Sequence, residues 1–386
     1  MRKELLIYLG AIILSILYLF MGNKIAMKNY KSYFDTQSTG LKAKVMEVIE
    51  RTNEKILGVS EDEGNIIIEF RAKILSGERK GEEIIAKQYK YSIEPMPQKE
   101  VEKGDKILLM EDAYIEAQDE WIMGTYIRSD ALMALGAVFA VCLIIFGGFK
   151  GINTLISLIF TCLSIFVVFI PAILSGLNIY LWSIITCFYI VVMTLTLVNG
   201  INVKSLSAGI GCIGGAVLAS LITIFMNKFL HLTGLVDDQS IFLLLLNENN
   251  PIDLKAVVFS SILIGGIGGM LDVSVDISSA LSEVARKMRK RSFKGIYQSG
   301  INIGQDTIGT MASTLVLAYI GGSLSIVLLL IAYNNSLLYT MNMEMIVVEV
   351  LQAIVGSFGM LLTVPLTSLI SARLLTRDID KERELY

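Results

Sequence analysis

The sequence predicts an α-helical polytopic membrane protein with a small β-barrel-like domain inserted after its first helix. Of its 386 residues 54% are hydrophobic, and the mean hydropathy of +0.63 is well above that of a soluble globular protein. Several apolar runs reach the roughly 20 residues that a transmembrane helix needs. One long segment between two of these runs is instead rich in charges of both signs and in alternating, β-branched stretches.

The first apolar run, Leu5–Met21, follows a short basic start and is not followed by a clear small-x-small cleavage site. We interpret residues 1–22 as an uncleaved transmembrane helix rather than a signal peptide. With the later runs, about eight spans are expected, and residues 131–375 make up a seven-helix membrane domain. The later spans are predicted at Ala131–Phe149, Ile152–Leu174, Tyr180–Val198, Leu206–Met226, Leu254–Ala280, Ile303–Tyr333 and Met345–Leu375.

Residues 23–130 form the predicted β-domain. Its candidate strands alternate in polarity or are β-branched, and turns rich in Gly, Pro, Asn and Asp separate them. The clearest candidates are Lys42–Ile49, Asn65–Leu75, Glu82–Ser92 and Lys106–Met110. About five or six such strands would make a partly closed barrel of the oligonucleotide/oligosaccharide-binding (OB) type. Since no cluster of aromatic or catalytic side chains stands out, a structural cap is favoured over a ligand site.

Basic residues predict the orientation, because short cytoplasmic loops of membrane proteins are enriched in Lys and Arg. The loops 175–179 and 334–344 contain neither residue, whereas the opposite side and the tail 376–386 are basic. The basic residues of that side are Lys150, Lys204, Arg286, Lys287, Arg289, Lys290, Arg291, Lys294, Arg373, Arg377, Lys381 and Arg383. Both termini are therefore expected in the cytoplasm and the β-domain outside.

Two loops of the membrane domain have an unusual composition. The external loop 227–253 contains the apolar stretch Ile241–Leu246, which is too short to span a bilayer and predicts an interfacial or re-entrant segment. The cytoplasmic loop 282–300 continues the preceding helix as a basic amphipathic stretch, which predicts attraction to anionic lipid. The residues expected to provide it are Arg286, Lys287, Arg289, Lys290 and Arg291.

Three predicted spans carry polar stripes at the three- and four-residue spacing of one helical face. Charged groups facing lipid cost at least a few kcal/mol, so such stripes face protein or a water-filled cavity. The residues predicted to line an ion or solute path are Asp272, Asp276, Ser279, Asn302, Gln305, Asp306, Thr310, Glu349 and Gln352. The glycines predicted to allow close helix packing are Gly265, Gly269, Gly309, Gly356 and Gly359.

The acidic residues of these stripes are expected at two depths. Asp272, Asp276 and Asp306 should lie at a similar level on the cytoplasmic side, and Glu349 should lie nearer the external face. Carboxylates that converge in a medium of low dielectric stay protonated or hold a cation, and either outcome suits ion or proton coupling. The alternative is that the small residues only pack helices and that Asp276 and Glu283 extend to the basic loop.

Several functional classes are disfavoured. No basic, aromatic-interleaved surface indicates nucleic-acid binding. The four cysteines lie singly inside predicted spans, and His231 has no Cys or His neighbour at metal-ligand spacing. We therefore predict no metal site, no cofactor and no catalytic residue.

Several motifs in this sequence resemble those of the YibE/F family of multi-pass bacterial membrane proteins. They are Gly268–Ala280, Asn302–Met311, Val355–Gly359 with Val364–Thr367, and Tyr126–Arg128 at the entry to the second helix. The resemblance covers almost the whole chain and implies the architecture above in a bacterial cell membrane, but says little about activity. Gln305 departs from the pattern, because a basic residue is expected there in many relatives, and such a residue would pair with Asp306.

Three functional hypotheses follow. The first is a transporter or channel for an ion or small solute that uses intramembrane carboxylates. The second is a non-transporting envelope scaffold whose β-domain binds a partner outside. The third is an intramembrane aspartyl-type hydrolase with Asp272 and Asp306 as its carboxylate pair, although the Gly-x-Gly-Asp motif of such enzymes is missing. A homo- or hetero-oligomer is compatible with each.

Overall fold

A computed structural model describes residues 2–28, 40–54, 65–90, 99–111, 121–246, 251–288, 291–333 and 336–383. The chain divides into two compact units, one of Met1–Lys31 with Leu143–Tyr386 and one of Ser32–Cys142. The first unit is a helical bundle, and the second contains a small β-barrel.

The β-barrel has five strands in the described part of the chain. They are β1 (Leu41–Glu54), β2 (Asn65–Ile74), β3 (Glu83–Lys90), β4 (Lys106–Glu111) and β5 (Trp121–Tyr126). The barrel closes in the order β1-β2-β3-β5-β4, with β3 and β5 parallel and the other pairs antiparallel. This confirms the prediction of a small β-domain.

Alternate side chains of the strands fill the barrel. In β2, Ile68 and Phe70 are buried, as the period-two geometry of a strand requires. The core also contains one amide, Gln88, which accepts a hydrogen bond from the Val101 backbone N–H and donates one to the Lys99 carbonyl, both at 2.9 Å. Because both ends of the amide have partners, its burial fixes the segment before β4.

The helices account for most of the remaining described residues. They are α1 (Arg2–Ala26), α2 (Ser129–Leu163), α3 (Ile170–Leu174), α4 (Ile179–Asn199), α5 (Val203–Phe229), α6 (Asp238–Leu245), α7 (Leu254–Lys287), α8 (Phe293–Gly322), α9 (Leu324–Tyr333), α10 (Leu337–Thr340) and α11 (Glu344–Arg383). A π-helical turn, Ser164–Phe169, joins α2 to α3. Side-chain caps begin α4, α5, α7 and α8, where Asn178, Asn202, Asp253 and Ser292 each accept a backbone N–H three residues on.

Six helical segments of the described chain are long and apolar enough to cross a membrane, and α8 with α9, which meet at 62°, would make a seventh. Ser129–Leu174 counts as one of the six, although its 46 residues would extend about 69 Å against a hydrocarbon core of about 30 Å. Gly148 interrupts it with a φ of 55°, and a Cβ at Gly151 would lie 2.9 Å from the Leu143 carbonyl carbon. A continuous helix would separate those residues by about 12 Å. The chain therefore reverses near Gly148, between the two spans predicted for this region.

The last long helix, α11, packs against α5, α7 and α8. Glycines make these contacts close: a Cβ at Gly215 of α5 would overlap the Thr363 side chain, and one at Gly266 of α7 would lie 3.4 Å from the Cα of Gly356. On α8, a Cβ at Gly304 would overlap α11 as well. Small residues let helix backbones approach, so this arrangement is typical of packing inside a membrane.

The connection between α5 and α7 contains the short helix α6 and is fastened to α11. The Glu344 carboxylate accepts hydrogen bonds from the Thr233 N–H at 2.7 Å, the Thr233 hydroxyl at 2.8 Å and the Gly234 N–H at 2.5 Å. At eight residues and about 12 Å, α6 is too short to span a bilayer.

Candidate functional site

Three long helices of the bundle, α4, α5 and α11, expose apolar side chains along their length. On α4 the exposed residues are Leu181, Ile184, Phe188 and Val192. Between 206 and 225 on α5 they are Leu206, Ile210, Val217, Leu221, Ile224 and Phe225. Between 350 and 369 on α11 they are Val350, Ile354, Phe358, Leu361 and Leu369. Surfaces of this kind suit contact with hydrocarbon.

The exposed surface of α7 is different. From Ser261 to its end, every exposed residue is polar or glycine, and the half-buried Ser279 continues the same line. We call this surface the polar face of α7; its exposed residues are Ser261, Gly265, Gly268, Asp272, Asp276, Glu283, Arg286 and Lys287. The opposite side of the helix buries Met270, Val273 and Ile277 completely. The helix is thus strongly amphipathic although it lies in an apolar bundle.

Helix α8 shows the same pattern over more than four turns. Every exposed residue between 298 and 314 is polar or glycine. This polar face of α8 consists of Gln298, Asn302, Gln305, Asp306, Gly309, Thr310, Ser313 and Thr314. It includes all four path residues that the sequence predicted on this helix. Its amide and hydroxyl groups supply both hydrogen-bond donors and acceptors.

The carboxylates of the two faces do not form one cluster. Asp272 interacts electrostatically with Asp276, one turn away on the same helix, and Asp276 is an electrostatic neighbour of Lys204 in the first turn of α5. In the part of the chain that the structure describes, the Asp306 side chain has no hydrogen bond or ion pair. Nor do any three His, Cys, Asp or Glu side chains among those residues come close enough to hold a metal ion. The described contacts therefore do not bring Asp306 together with Asp272, as a carboxylate dyad would require.

A cavity of about 280 Å³ lies at the N-terminal end of the polar face of α7. Glu349 and Gln352 of α11 line it together with Ser261, and the Gln352 amide donates a hydrogen bond of 2.8 Å to the Ser261 hydroxyl. The Tyr319 hydroxyl of α8 lies against Gly265 and is an electrostatic neighbour of Glu349. It is buried, with no hydrogen-bond partner within the described residues. The cavity therefore connects the predicted external acid to the start of the polar face.

The five glycines predicted to pack helices have two kinds of surroundings. At Gly265, Gly269, Gly356 and Gly359 an added Cβ would touch a side chain of a neighbouring helix. At Gly309 nothing lies within 4 Å of such an atom, because this glycine belongs to the polar face of α8. Glycine thus serves close packing in four positions and leaves open space in the fifth.

The basic stretch that begins in the last turn of α7 is only partly described. Arg286 and Lys287 form ion pairs with Glu283 at 2.8 and 3.6 Å, and Arg291 donates a 2.9 Å hydrogen bond to a backbone carbonyl of α7. These contacts are local to the end of one helix. Outside the described residues lie Arg289 and Lys290.

A family model described as YibE/F-like protein matches residues 135–377. The chain belongs to the YibE/F-like family. No curated protein and no solved structure matches it. The match confirms the resemblance for the motifs between Gly268 and Thr367, whereas Tyr126–Arg128 lies before the matched residues.

The YibE/F-like region contains both polar faces, the cavity at Glu349 and the central helix α11. The β-barrel lies before the matched residues. The matched residues therefore cover most of the helical bundle and not the β-barrel.

Sequence reasoning missed three residues of this YibE/F-like site. Ser261 lies one turn before Gly265, so extending the predicted stripe by one turn would have found it, and Gly268 lies within the stripe at the same three- and four-residue spacing. Tyr319 gives no such signal. It belongs to another helix, and only the crossing of α8 over α7 brings its hydroxyl to Gly265.

Proposed function

We propose that the protein is a membrane transporter or channel that moves a cation or small solute along the polar faces of α7 and α8. One observation carries the proposal: α4, α5 and α11 expose apolar side chains, whereas α7 and α8 expose only polar residues and glycine over several turns. A charged residue at the centre of a bilayer costs at least about 2.5 kcal/mol. The polar faces therefore need water or another protein surface against them.

The proposed path has an entrance, a small-residue passage and acids. It begins at the cavity with Glu349 and Gln352, passes Gly265, and reaches Asp272 and Asp276. From Ser261 to Asp276 the helix rises about 22 Å, most of the hydrocarbon thickness of about 30 Å. Carboxylates in this position attract cations or exchange protons, which is the usual role of intramembrane acids.

The placement in the membrane is part of the proposal. The long apolar helices and the family membership support insertion in a bacterial cell membrane. The segregation of Lys and Arg supports cytoplasmic termini and an extracytoplasmic barrel. The closed five-stranded barrel and its strand order support the OB type, with the barrel as a cap rather than the site of transport.

Reconstitution in liposomes tests the proposal. Purified protein should carry protons, Na⁺ or K⁺ down an imposed gradient faster than protein-free liposomes, as followed by an internal dye for each ion. Asp272→Asn should lower that flux to the protein-free rate, because the neutral amide cannot exchange a proton or hold a cation. The control is Glu78→Gln, which neutralises an exposed acid in a turn of the β-barrel and should leave the flux unchanged.

Two results would contradict the assignment. One is a parent protein that moves none of the three ions, which would contradict cation transport, and the other is full flux in Asp272→Asn, which would remove that carboxylate from the path. The scaffold remains the second candidate because the donors and acceptors of the α8 face also suit a partner helix, and it predicts that the polar faces are covered by protein.

A further inference from the structure

A larger cavity, of about 530 Å³, is lined by no residue of either polar face. It is bordered by α1, by the helical segment that follows Gly148, and by the connection from α4 to α5. Its lining has a polar part and an apolar part. The residues that matter are Lys150, Asn153 and Asn199 on the polar part, and Tyr8, Leu197 and Ile201 on the apolar part.

The polar part of this cavity has unused hydrogen-bonding and charged groups. Asn153 is only 7% exposed, yet its side-chain oxygen has no hydrogen-bond partner among the described residues. Lys150 is exposed, and its ammonium makes no ion pair in the part of the chain that the structure covers. A second ammonium, that of Lys204, lies within electrostatic range of Lys150 but does not line the cavity, and Asp276 of the polar face of α7 is also an electrostatic neighbour of Lys204. An unpaired lysine beside a buried amide oxygen suits an anion that also carries a hydrogen-bond donor.

The position of the cavity indicates which anion. Asn199 is the last residue of α4, Asn202 caps the start of α5, and Lys150 follows the break at Gly148. All three therefore lie at helix ends, where the headgroups of a bilayer would be. Ile201, at the rim, is 70% exposed. An apolar wall beside the Lys150 ammonium suits a molecule with an anionic head and hydrocarbon chains.

We infer that this cavity binds the phosphodiester headgroup of an anionic phospholipid. The Lys150 ammonium would lie opposite the phosphate, the Asn153 side-chain oxygen would accept a hydrogen bond from a hydroxyl of the headgroup, and Tyr8, Leu197 and Ile201 would contact the glycerol and acyl chains. Basic pockets between transmembrane helices on the cytoplasmic side bind anionic lipids in this way. The inference rests on the proposed membrane placement but not on transport, so a failed flux experiment would leave it standing.

Lipid-dependent stability of the full-length protein tests the site. In detergent, added phosphatidylglycerol should raise the unfolding temperature more than phosphatidylcholine, and inorganic phosphate should produce no shift. Lys150→Gln should weaken the phosphatidylglycerol effect about fivefold in concentration, the value of one lysine near an anionic surface. Lys228→Gln, a lysine near the other end of α5, should behave as the parent.

The inference would be wrong if the two phospholipids raised the unfolding temperature equally. It would also be wrong if Lys150→Gln responded to phosphatidylglycerol as the parent does. If inorganic phosphate raises the unfolding temperature as much as phosphatidylglycerol does, the cavity binds a soluble anion and the lipid assignment is wrong.

A second measurement leaves Lys150 in place, in case its variant does not fold. In a Cys142→Ser, Cys162→Ser background, a fluorophore on Ile201→Cys should be quenched more by brominated phosphatidylglycerol than by brominated phosphatidylcholine. The same label on Val217→Cys should be quenched equally by both, and equal quenching at position 201 would also overturn the inference.

Discussion

On the barrel surface, Glu100 shows how a single carboxylate can link separate segments. Its carboxylate accepts hydrogen bonds of 3.2 Å from the Arg51 guanidinium and 3.0 Å from the Lys90 ammonium. The Arg51 contact, followed by the Lys90 contact, lowers the pKa of Glu100 below its usual value. Because the folded state holds the charged form more tightly than the unfolded state does, this residue stabilises the barrel only while it is ionised.

The pH dependence of barrel stability should therefore change in Glu100→Gln. The stabilisation is fully present above the unfolded pKa of about 4.3 and is lost as the pH falls through the lower folded pKa. At pH 7 the variant should be less stable by under about 1 kcal/mol, since the pair is partly exposed, and the difference should disappear once the pH has fallen below the lowered folded pKa. Trp121 fluorescence in a Trp182→Phe background would follow the barrel. Glu78→Gln, at an exposed turn, is the control. If the stability difference between Glu100→Gln and the parent grows as the pH falls, the predicted direction of the pH dependence is wrong.

Residue spacing predicted which side chains share a face but not what that face meets. The three-four rhythm placed Asp272 and Asp276 together, and Asp306 with Thr310, and the structure has them on those faces. Spacing within one helix contains no information on the rotation of its neighbours. For that reason the sequence suggested that Asp306 and Asp272 converge, whereas the described contacts do not join them.

Among the elements, α11 depends on glycines of its neighbours. Gly215 of α5 lies so close that an added Cβ would overlap the Thr363 side chain and come within 2.9 Å of the Gly359 carbonyl oxygen. A side chain can rotate away, but a backbone carbonyl inside a helix cannot move without shifting the helix. The contact between α5 and α11 therefore has no space for even one methyl group.

Gly215→Ala should consequently destabilise the bundle, whereas Gly309→Ala should not. Overpacking of this kind costs roughly 1–3 kcal/mol. Both substitutions gain the helix propensity of alanine, so the comparison isolates the clash, because nothing lies within 4 Å of a Cβ at Gly309. Thermal unfolding in detergent should show a lower midpoint for Gly215→Ala alone. Equal midpoints in the two variants would mean that the α5–α11 contact is looser than described.

At the same scale, the long apolar runs predicted the helices well and their bends poorly. Gly147 and Gly148 within one run mark a break, and the structure has a reversal there. The bend of 62° between α8 and α9 falls at Gly321, Gly322 and Ser323, a comparable signal inside the single predicted span Ile303–Tyr333. Hydropathy reports how long a segment is, whereas the position of a bend has to be read from such glycines.

For the whole molecule, the division of surface on the helical bundle is the main functional clue. Helices α4, α5 and α11 expose hydrocarbon, and α7 and α8 expose polar groups. One chain in a bilayer would leave the polar faces against lipid unless water enters between them or another chain covers them. The transport and scaffold hypotheses therefore differ in a measurable quantity, which is the access of water to those faces.

Cysteine labelling in native membranes should distinguish the two cases. In a Cys142→Ser, Cys162→Ser background the remaining Cys187 and Cys212 are buried. A membrane-impermeant maleimide should modify Ser313→Cys, on the polar face of α8, much faster than Val217→Cys on the apolar surface of α5, because maleimide reacts with a hydrated thiolate. If Ser313→Cys instead resists the reagent and forms a disulfide-linked dimer on oxidation, a second copy covers the face and the scaffold is favoured. Equal resistance at both positions without a cross-link would mean that the polar face meets neither water nor a second copy, and the proposed path would be wrong.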